Sequence, residues 1–384
     1  MTGRRCPICE SNNVHTFLRR LNVPVHQNLV YNDRQSAVAT IRGNITMAFC
    51  NHCGFVFNAD FDESLLTYND DYDNTQMFST FFQKYLTGLV EHILDKKSVE
   101  NRKIIEVGCG NGLFLRKLIK NGPGNSGYGF DPSYCGPLSE LDGKLRFAKH
   151  NFGIDYQSPE ADIVICRHVI EHVADPISKM RDIRKALKAS RNGQVFFETP
   201  CVEWILVNDV HFDMFYEHCS LFCEDSLKSA MGLAGFEVKE TRHIFGGQYL
   251  WLEANPKPRA DDPRFNPGKV PDLVREFAIK ERRFVEFWKD KIDCVRSKPL
   301  AIWGAGAKGA TFLNLIDPKA EHIDFAVDIN PRKRGKFVSG TGHEVLGVDQ
   351  IKSAGIKSAI TINPNYAKEN KAIIEDLHMN VEWI

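Results

Sequence analysis

The sequence has no excess of charge of either sign, because 49 lysines and arginines balance 49 aspartates and glutamates. A chain without a large basic field is a poor candidate for a nucleic-acid or membrane-surface partner. No apolar run approaches the roughly 20 residues that a membrane span requires, and the opening residues, MTGRRCPICE, hold no apolar core of signal-peptide length. These absences predict a cytoplasmic protein that acts on a small-molecule substrate.

Cysteine, by contrast, is well represented, with eleven residues. Two C-x-x-C hooks about forty residues apart contribute the four that matter most, Cys6, Cys9, Cys50 and Cys53. Four thiolates in two short hooks suit a closed, tetrahedral Zn²⁺ site that organises the fold and takes no part in chemistry. His52, inside the second hook, is an alternative ligand. Between the hooks, the alternating stretch 37–41 predicts a strand of a small antiparallel sheet.

A strand, a glycine turn and an amphipathic helix follow one another in residues 103–120. Gly108, Gly110 and Gly112 have G-x-G-x-G spacing, which differs from the dinucleotide pattern G-x-G-x-x-G, and Glu106 precedes them by two residues. The order predicts a doubly wound α/β domain. A carboxylate beside bare glycine backbone suits a cofactor with a cationic amino-acid end, and Asp131, which ends the next strand, suits ribose hydroxyls.

These features resemble the class I S-adenosylmethionine-dependent methyltransferases over roughly residues 100–255. The resemblance implies S-adenosylmethionine as the cofactor, held by the acid-led glycine loop and by residues that follow the second, third and fourth strands. The implied cofactor-binding residues are Glu106, Gly108, Gly110, Gly112, Asp131, Pro132, Asn151, Phe152 and His168.

A second strand, turn and helix begins near residue 299 and does fit G-x-G-x-x-G, in the letters GAGAKG, with Asp328 at the end of the next strand. One interpretation is a nicotinamide site. The other is a substrate-binding phosphate cradle, in which Gly304, Gly306 and Lys308 hold the pyrophosphate of a nucleotide-linked substrate.

The order of these parts resembles the nucleotide-sugar C-methyltransferases of deoxysugar pathways over essentially the whole chain. In that family a Tyr-His-Glu-His-x-Ser sequence follows the fifth strand, and Glu217, His218 and Ser220 match it, whereas the tyrosine is displaced by one residue to Tyr216 and one histidine is missing. The resemblance implies that His218 removes a proton beside a carbonyl group. The other implied catalytic residues are Glu217, Tyr216, His172 and Tyr72.

The sequence thus predicts an α/β protein with a class I methyltransferase domain, a small zinc-binding module before it and a Rossmann-like domain after it. The predicted units are 1–60 for the zinc module, 61–100 for a helical connector, 101–255 for the methyltransferase domain, 256–297 for a linker and helix, and 298–384 for the substrate-binding Rossmann-like domain. Three other functions remain open: O- or N-methylation of a small polar metabolite, NAD(P)-dependent oxidoreduction, and nucleic-acid binding through a zinc ribbon.

Overall fold

The computed structural model describes residues 4–67, 72, 75–153, 160–187, 193–259, 264–295 and 297–384. Strands in this part of the chain form four sheets, of four, eight, five and two strands. None of the helices found there combines the length and apolar character needed to cross a membrane.

The amino-terminal sheet is antiparallel and has the order β1-β3-β4-β11. Its hairpins form because Cys53 and Gly54 turn the chain between β3 and β4, with Gly54 at a φ of +73°. The stretch 37–41 was predicted as a strand, and this is wrong: Asp33 caps a short helix that ends at Val38, and the sheet is made by the flanking segments. The elements of this region are β1 (Val14–Pro24), β2 (Val30–Tyr31), α1 (Arg34–Val38), β3 (Arg42–Cys50) and β4 (Val56–Asn58).

The central sheet has eight strands in the order β12-β13-β10-β9-β5-β6-β8-β7. Its inner strands are buried along nearly their whole length, as expected for a parallel sheet covered on both faces. Its elements are α2 (Thr80–Glu91), β5 (Lys103–Val107), α3 (Leu113–Asn121), β6 (Ser126–Phe130), β7 (Ser139–Glu140), β8 (Leu145–Ala148), β9 (Ile163–Arg167), α4 (Pro176–Ala186), β10 (Gln194–Pro200), α5 (Val202–Val207), α6 (Glu224–Leu233), β12 (Phe236–Ile244) and β13 (Tyr249–Pro256).

The position of β5 decides where a ligand can bind. This strand pairs in parallel with β6 on one side and with β9 on the other, so the chain leaves it in opposite directions. Such a switch point leaves a crevice beyond the carboxyl ends of the strands. The glycine loop that follows β5 opens into this crevice.

The carboxyl-terminal sheet has the order β17-β15-β14-β18-β19, with every neighbouring pair parallel. The long helix before it buries one face, including Val274, Phe277, Phe284 and Ile292. The elements are α7 (Val270–Asp293), β14 (Leu300–Trp303), α8 (Ala307–Ile316), β15 (Phe325–Asp328), β16 (Phe337–Val338), β17 (Val345–Gly347), β18 (Ser358–Thr361), α9 (Ala367–Asp376) and β19 (Glu382–Trp383).

Two short pairings tie the amino-terminal region to both later regions. Strand β4 pairs with β11 (Ser220–Leu221), which follows the central domain's fifth parallel strand, and β2 pairs with β16 from the carboxyl-terminal region. The bounds of the five predicted units stay predictions, and part of the predicted linker, residues 260–263 and 296, lies outside the described residues.

Candidate functional site

A cavity of about 730 Å³ lies where the three regions meet. One wall is the glycine loop after β5, the second is the segment before β11, and the third is the glycine loop after β14. The sequence-predicted residues that line it are Tyr72, Glu106, Gly108, Gly110, Asp131, Pro132, Asn151, Phe152, His168, His172, His218, Gly304, Gly306 and Lys308.

The first glycine loop is built from left-handed backbone, with φ values of +67° at Gly108, +52° at Gly110 and +77° at Gly112. A Cβ atom on Gly110 would meet no atom within 4 Å, so this residue faces open space. Gly112 does not line the cavity, and a Cβ there would come within 2.5 Å of the Phe147 ring. Gly110 therefore leaves room for a ligand, whereas Gly112 serves the packing of the loop.

Two carboxylates flank this loop. Glu106 is 2% exposed, and its Oε2 atom has no hydrogen-bond partner among the described residues. Burial raises the pKa of Glu106 to about 8. Asp131 accepts hydrogen bonds from the backbone N–H groups of Gly110 and Ser133, each at 2.8 Å. The amine of a ligand could donate a hydrogen bond to this unpartnered, buried carboxylate oxygen. The residues around the loop therefore fit S-adenosylmethionine.

His168 follows β9 with a φ of +53° and reaches the same cavity. Its Nε2 atom lies 3.0 Å from Glu198 Oε1, and its Nδ1 atom lies 3.4 Å from Glu171 Oε1. Burial opposes the charged ring, but the two carboxylates prevail and the pKa of His168 is raised to about 9. The ring is thus a fixed cation whose two nitrogens are both directed at protein carboxylates.

His218 and His172 face each other across the second wall, with ring centroids 5.2 Å apart. His172 donates from Nδ1 to the backbone carbonyl of Glu217 at 3.0 Å, which leaves Nε2 as an acceptor in the neutral ring. Burial lowers the pKa of His218 well below 6.5, and electrostatic interactions with the neighbouring His172, Lys308 and His168 lower it further. At neutral pH His218 is therefore a neutral imidazole, the form that accepts a proton.

Two predicted catalytic residues do not line the cavity. The Glu217 carboxylate accepts a hydrogen bond from the backbone N–H of Gln27 at 2.9 Å, and its other oxygen lies 3.5 Å from His26 Nδ1. The Tyr216 hydroxyl is bonded to the backbone of Asp62, accepting from its N–H at 2.9 Å and donating to its carbonyl at 3.2 Å. The prediction that these side chains reach the reacting groups is not supported, since both point into the amino-terminal region.

Tyr72 lines the cavity, and its hydroxyl accepts a hydrogen bond from Asn28 Nδ2 at 3.3 Å. Residues 71, 73 and 74, which flank it in the sequence, lie outside the described residues. The hydroxyl stays a predicted donor toward a substrate oxygen.

The second glycine loop lines the cavity opposite the first, but its polar groups already have partners. Asp328 accepts from the backbone N–H of Ala305 at 2.9 Å, and Asn28 accepts from that of Ala307 at 3.0 Å. The Lys308 ammonium lies 2.7 Å from Asp213 Oδ2. The loop is adjacent to the ligand space, yet its lysine is directed at a protein carboxylate and not held free for a phosphate.

Two residues at this junction were missed from the sequence. Asp213 begins the stretch DMFYEHCSLFC and precedes His218 by five residues, so an acid near the predicted base was a usable signal. Asn28 carries no such signal, because its partners lie 44 and 279 residues away in the chain.

The four predicted metal ligands come together away from the cavity. The sulfur atoms of Cys6 and Cys53 are 3.6 Å apart, and those of Cys9 and Cys50 are 3.4 Å apart. All four lie within 4.8 Å of one another. His52 is not in this cluster; its ring packs 5.0 Å from that of Phe265.

Two family models match this chain. One, described as a methyltransferase domain, matches residues 78–241, and the other, described as a C-methyltransferase C-terminal domain, matches residues 281–383. The chain contains a methyltransferase domain. These matches confirm the predicted Rossmann-like methyltransferase fold and, at the level of the domain, the predicted class of S-adenosylmethionine-dependent methyltransferase.

Curated relatives match a shorter stretch. The chain is 34% identical over 116 residues to a ubiquinone biosynthesis O-methyltransferase of Hydrogenovibrio crunogenus, which covers 29% of this chain and 47% of that protein. It is 28% identical over 116 residues to a tRNA U34 carboxymethyltransferase of Nautilia profundicola, covering 28% and 37%. The chain thus spans about half or less of the length of these relatives.

Solved structures of methyltransferases match part of the chain at low similarity. One is a Burkholderia thailandensis 1,6-didemethyltoxoflavin-N1-methyltransferase with bound 1,6-didemethyltoxoflavin and S-adenosylhomocysteine, at 14% identity and a TM-score of 0.34. The match covers 47% of this chain and 87% of that one.

Proposed function

We propose that the protein transfers a methyl group from S-adenosylmethionine to a carbon atom of a nucleotide-linked keto-sugar. The observation that carries the proposal is the buried, neutral His218 imidazole in the wall of a cavity that also contains the acid-led glycine loop. The match of residues 281–383 to a C-methyltransferase C-terminal domain supports carbon as the acceptor. The nucleotide-linked sugar rests on the family resemblance.

The residues that would hold the cofactor are those around the first loop. Glu106 offers an unpartnered oxygen to the amine, Asp131 keeps acceptor capacity for ribose hydroxyls, and Gly108 and Gly110 leave the backbone accessible. S-adenosylmethionine supplies an electrophilic methyl group when bound there. Phe152, which packs against Phe130, and Asn151 line the adjoining wall.

His218 takes the proton in the proposed reaction. Its neutral imidazole accepts a proton from the carbon beside the substrate carbonyl, and the electron pair of that C–H bond becomes the nucleophile. The enolate oxygen needs a donor, for which the Tyr72 hydroxyl is the nearest predicted group. His172, whose Nε2 faces away from its backbone contact, offers a second acid or base on the same wall.

The experiment that tests this reading follows the proton. With cofactor withheld, wild-type protein should exchange solvent deuterium into the carbon beside the carbonyl of a nucleotide-linked keto-sugar. His218→Asn should lose this exchange and about 10²–10⁴-fold of turnover while binding S-adenosylhomocysteine with unchanged affinity in calorimetry. His322→Asn, at an exposed histidine, is the matched control. Unchanged turnover in His218→Asn would remove the base assignment.

The second candidate is methylation of oxygen or nitrogen on a small polar metabolite. It is favoured by the names of matching relatives, which include an O-methyltransferase and a tRNA carboxymethyltransferase. Methylated product without any carbon-bound deuterium would select it. Oxidoreduction with NAD(P) gains little support, because Asp328 and the amino terminus of α8 already have protein partners. Nucleic-acid binding gains no support from the balanced charge.

We further propose that the four-cysteine cluster holds a structural Zn²⁺ ion. Sulfur atoms 2.3 Å from a tetrahedral zinc lie about 3.8 Å apart, close to the separations of 3.6 and 3.4 Å measured here. Four protein ligands would leave no open position, so the ion would hold the amino-terminal hairpins and take no part in methyl transfer. A cytoplasmic location stays a prediction from the sequence.

A further inference from the structure

We propose that Asp213 and Lys308 form, with His218, a three-residue relay in which Asp213 orients the base and Lys308 holds Asp213 in place. The inference rests on the proposed role of His218 in proton transfer. It assigns the lysine of the second glycine loop to the proton-transfer machinery, and it makes Asp213, in place of Glu217, the carboxylate that positions the base.

The geometry of Asp213 is the first support. Its side chain is 1% exposed, with Oδ2 2.7 Å from Lys308 Nζ and Oδ1 3.9 Å from His218 Nδ1. Neither oxygen has another hydrogen-bond partner among the described residues, and His218 Nδ1 has none there either. A buried carboxylate oxygen without a partner is costly, so Oδ1 of Asp213 and Nδ1 of His218 gain by pairing with each other. The gap of 3.9 Å is of the size that closes when a substrate orders an active site.

The chain path is the second support. Asp213 ends a 3-10 turn, His211–Asp213, and the backbone then turns so that His218 comes back toward it. The Phe215 and His218 ring centroids lie 3.8 Å apart, with the rings tilted by 34°. Lys308 enters from α8 with its ammonium 5.6 Å from the centroid of the Trp204 ring. The lysine is therefore confined by an aromatic face on one side and by Asp213 on the other.

The chemical consequence concerns the tautomer. A carboxylate at Nδ1 keeps the proton on that nitrogen and leaves Nε2 with the lone pair that accepts the substrate proton. After proton transfer the imidazolium faces an anion, which stabilises it. Lys308 forms an ion pair with Asp213 at 2.7 Å, which compensates the cost of burying this carboxylate.

Other charged or titratable groups also surround His218 and influence its pKa. His172 and Glu171 lie on the 3-10 turn Ile170–His172, and His168 lies at the end of β9. They are unchanged in the variants below, so each variant reports on the relay alone.

The pH profile of kcat/KM tests the lysine. Lys308→Met should move the acid limb to higher pH by at least half a unit, because loss of the ammonium favours protonation of His218, which disables the base. Lys308→Arg should restore the wild-type limb. Lys352→Met, at an exposed lysine, is the control. A purely structural lysine would lower stability and leave the limb where it is, and that result would overturn the proposal.

Asp213→Asn tests the orienting carboxylate. We expect kcat to fall about 10²-fold or more across the whole pH range, with KM and S-adenosylhomocysteine affinity changed less than threefold. The His218 pKa, read from ring-labelled histidine by NMR and assigned by its loss in His218→Asn, should fall in Asp213→Asn and be perturbed in Lys308→Met. This readout needs no turnover. If His218→Asn is inactive but neither variant alters the His218 titration, the relay is refuted and the base assignment stands; if His218→Asn is fully active, the proposed function fails first.

Discussion

The two glycine loops of this protein share one hydrogen-bonding arrangement but serve different purposes. In each, a carboxylate at the end of the following strand accepts a hydrogen bond from a loop N–H, Asp131 from Gly110 at 2.8 Å and Asp328 from Ala305 at 2.9 Å. The residue two places before the first glycine differs, since it is Glu106 in one loop and Ile302 in the other. Among the described residues, only the first loop therefore has a buried acidic side chain at this position, with an oxygen atom that lacks a hydrogen-bond partner.

The helix that follows each loop shows the second difference. The first N–H of α3 is accepted by Asn111, a neighbour in sequence, at 3.1 Å. The corresponding N–H of α8 is accepted by Asn28, from the amino-terminal region. The helix N–H after the first loop finds its hydrogen-bond partner within the loop itself, and the loop stays open toward the cavity. The groups of the second loop bond to distant parts of the chain, so these bonds link the regions to one another.

The largest predicted effect concerns the region that supplies Asn28. Removing metal with a chelator, or substituting Cys53→Ser, should destabilise the amino-terminal hairpins by several kcal/mol, since structural zinc sites contribute directly to folding. Thermal unfolding should begin at least 10 °C lower, an order-of-magnitude expectation from that loss. Affinity for S-adenosylhomocysteine at the first loop should change less than threefold. Cys294→Ser, at an exposed cysteine outside the cluster, is the matched control. Equal loss of ligand affinity would break the contrast between the loops.

The next effect isolates the free acceptor. Glu106→Gln should weaken S-adenosylhomocysteine binding about 10- to 100-fold, because a hydrogen bond to a charged group contributes about 1.5–3 kcal/mol. Calorimetry measures it directly. Ile302→Val, at the matching position of the second loop, should leave binding unchanged. Comparable losses in both variants would mean that the second loop also touches the cofactor.

The smallest effect tests the cap of α8. Asn28→Ala should cost about 1 kcal/mol of unfolding free energy, the usual loss for a helix cap, and should leave S-adenosylhomocysteine affinity as it is. Asn28→Asp retains an acceptor oxygen and should recover most of the stability in urea unfolding. A cofactor affinity that falls with Asn28→Ala would show that the cap also shapes the first loop.

The sequence predictions that the family matches confirm were based on local sequence patterns. The strand, glycine turn and helix around Glu106 lie within about 20 residues, so periodicity and glycine spacing suffice to predict them. The two cysteine hooks could also be predicted from local sequence. Each hook is short, and a single hairpin is enough to bring the two hooks together.

The direction in which a side chain points was harder to predict. Tyr216, Glu217 and His218 are consecutive, yet only His218 faces the cavity, because Asp62 and Gln27 hold the other two from segments more than 150 residues away. Lys308 was predicted to hold a phosphate, but its ammonium group lies beside the carboxylate of Asp213, from another region. No pattern within one segment records such contacts, since they depend on how the regions pack.

The pairing of β2 with β16 has a consequence for synthesis of the protein. Tyr31 pairs with Phe337, so the partner of this strand is made about 300 residues later. At a translation rate of about 5–20 residues per second, β2 waits roughly 15–60 s for its neighbour. This strand leaves the ribosome early and is therefore among the last to acquire its final hydrogen bonds, and it stays available to chaperones in the meantime.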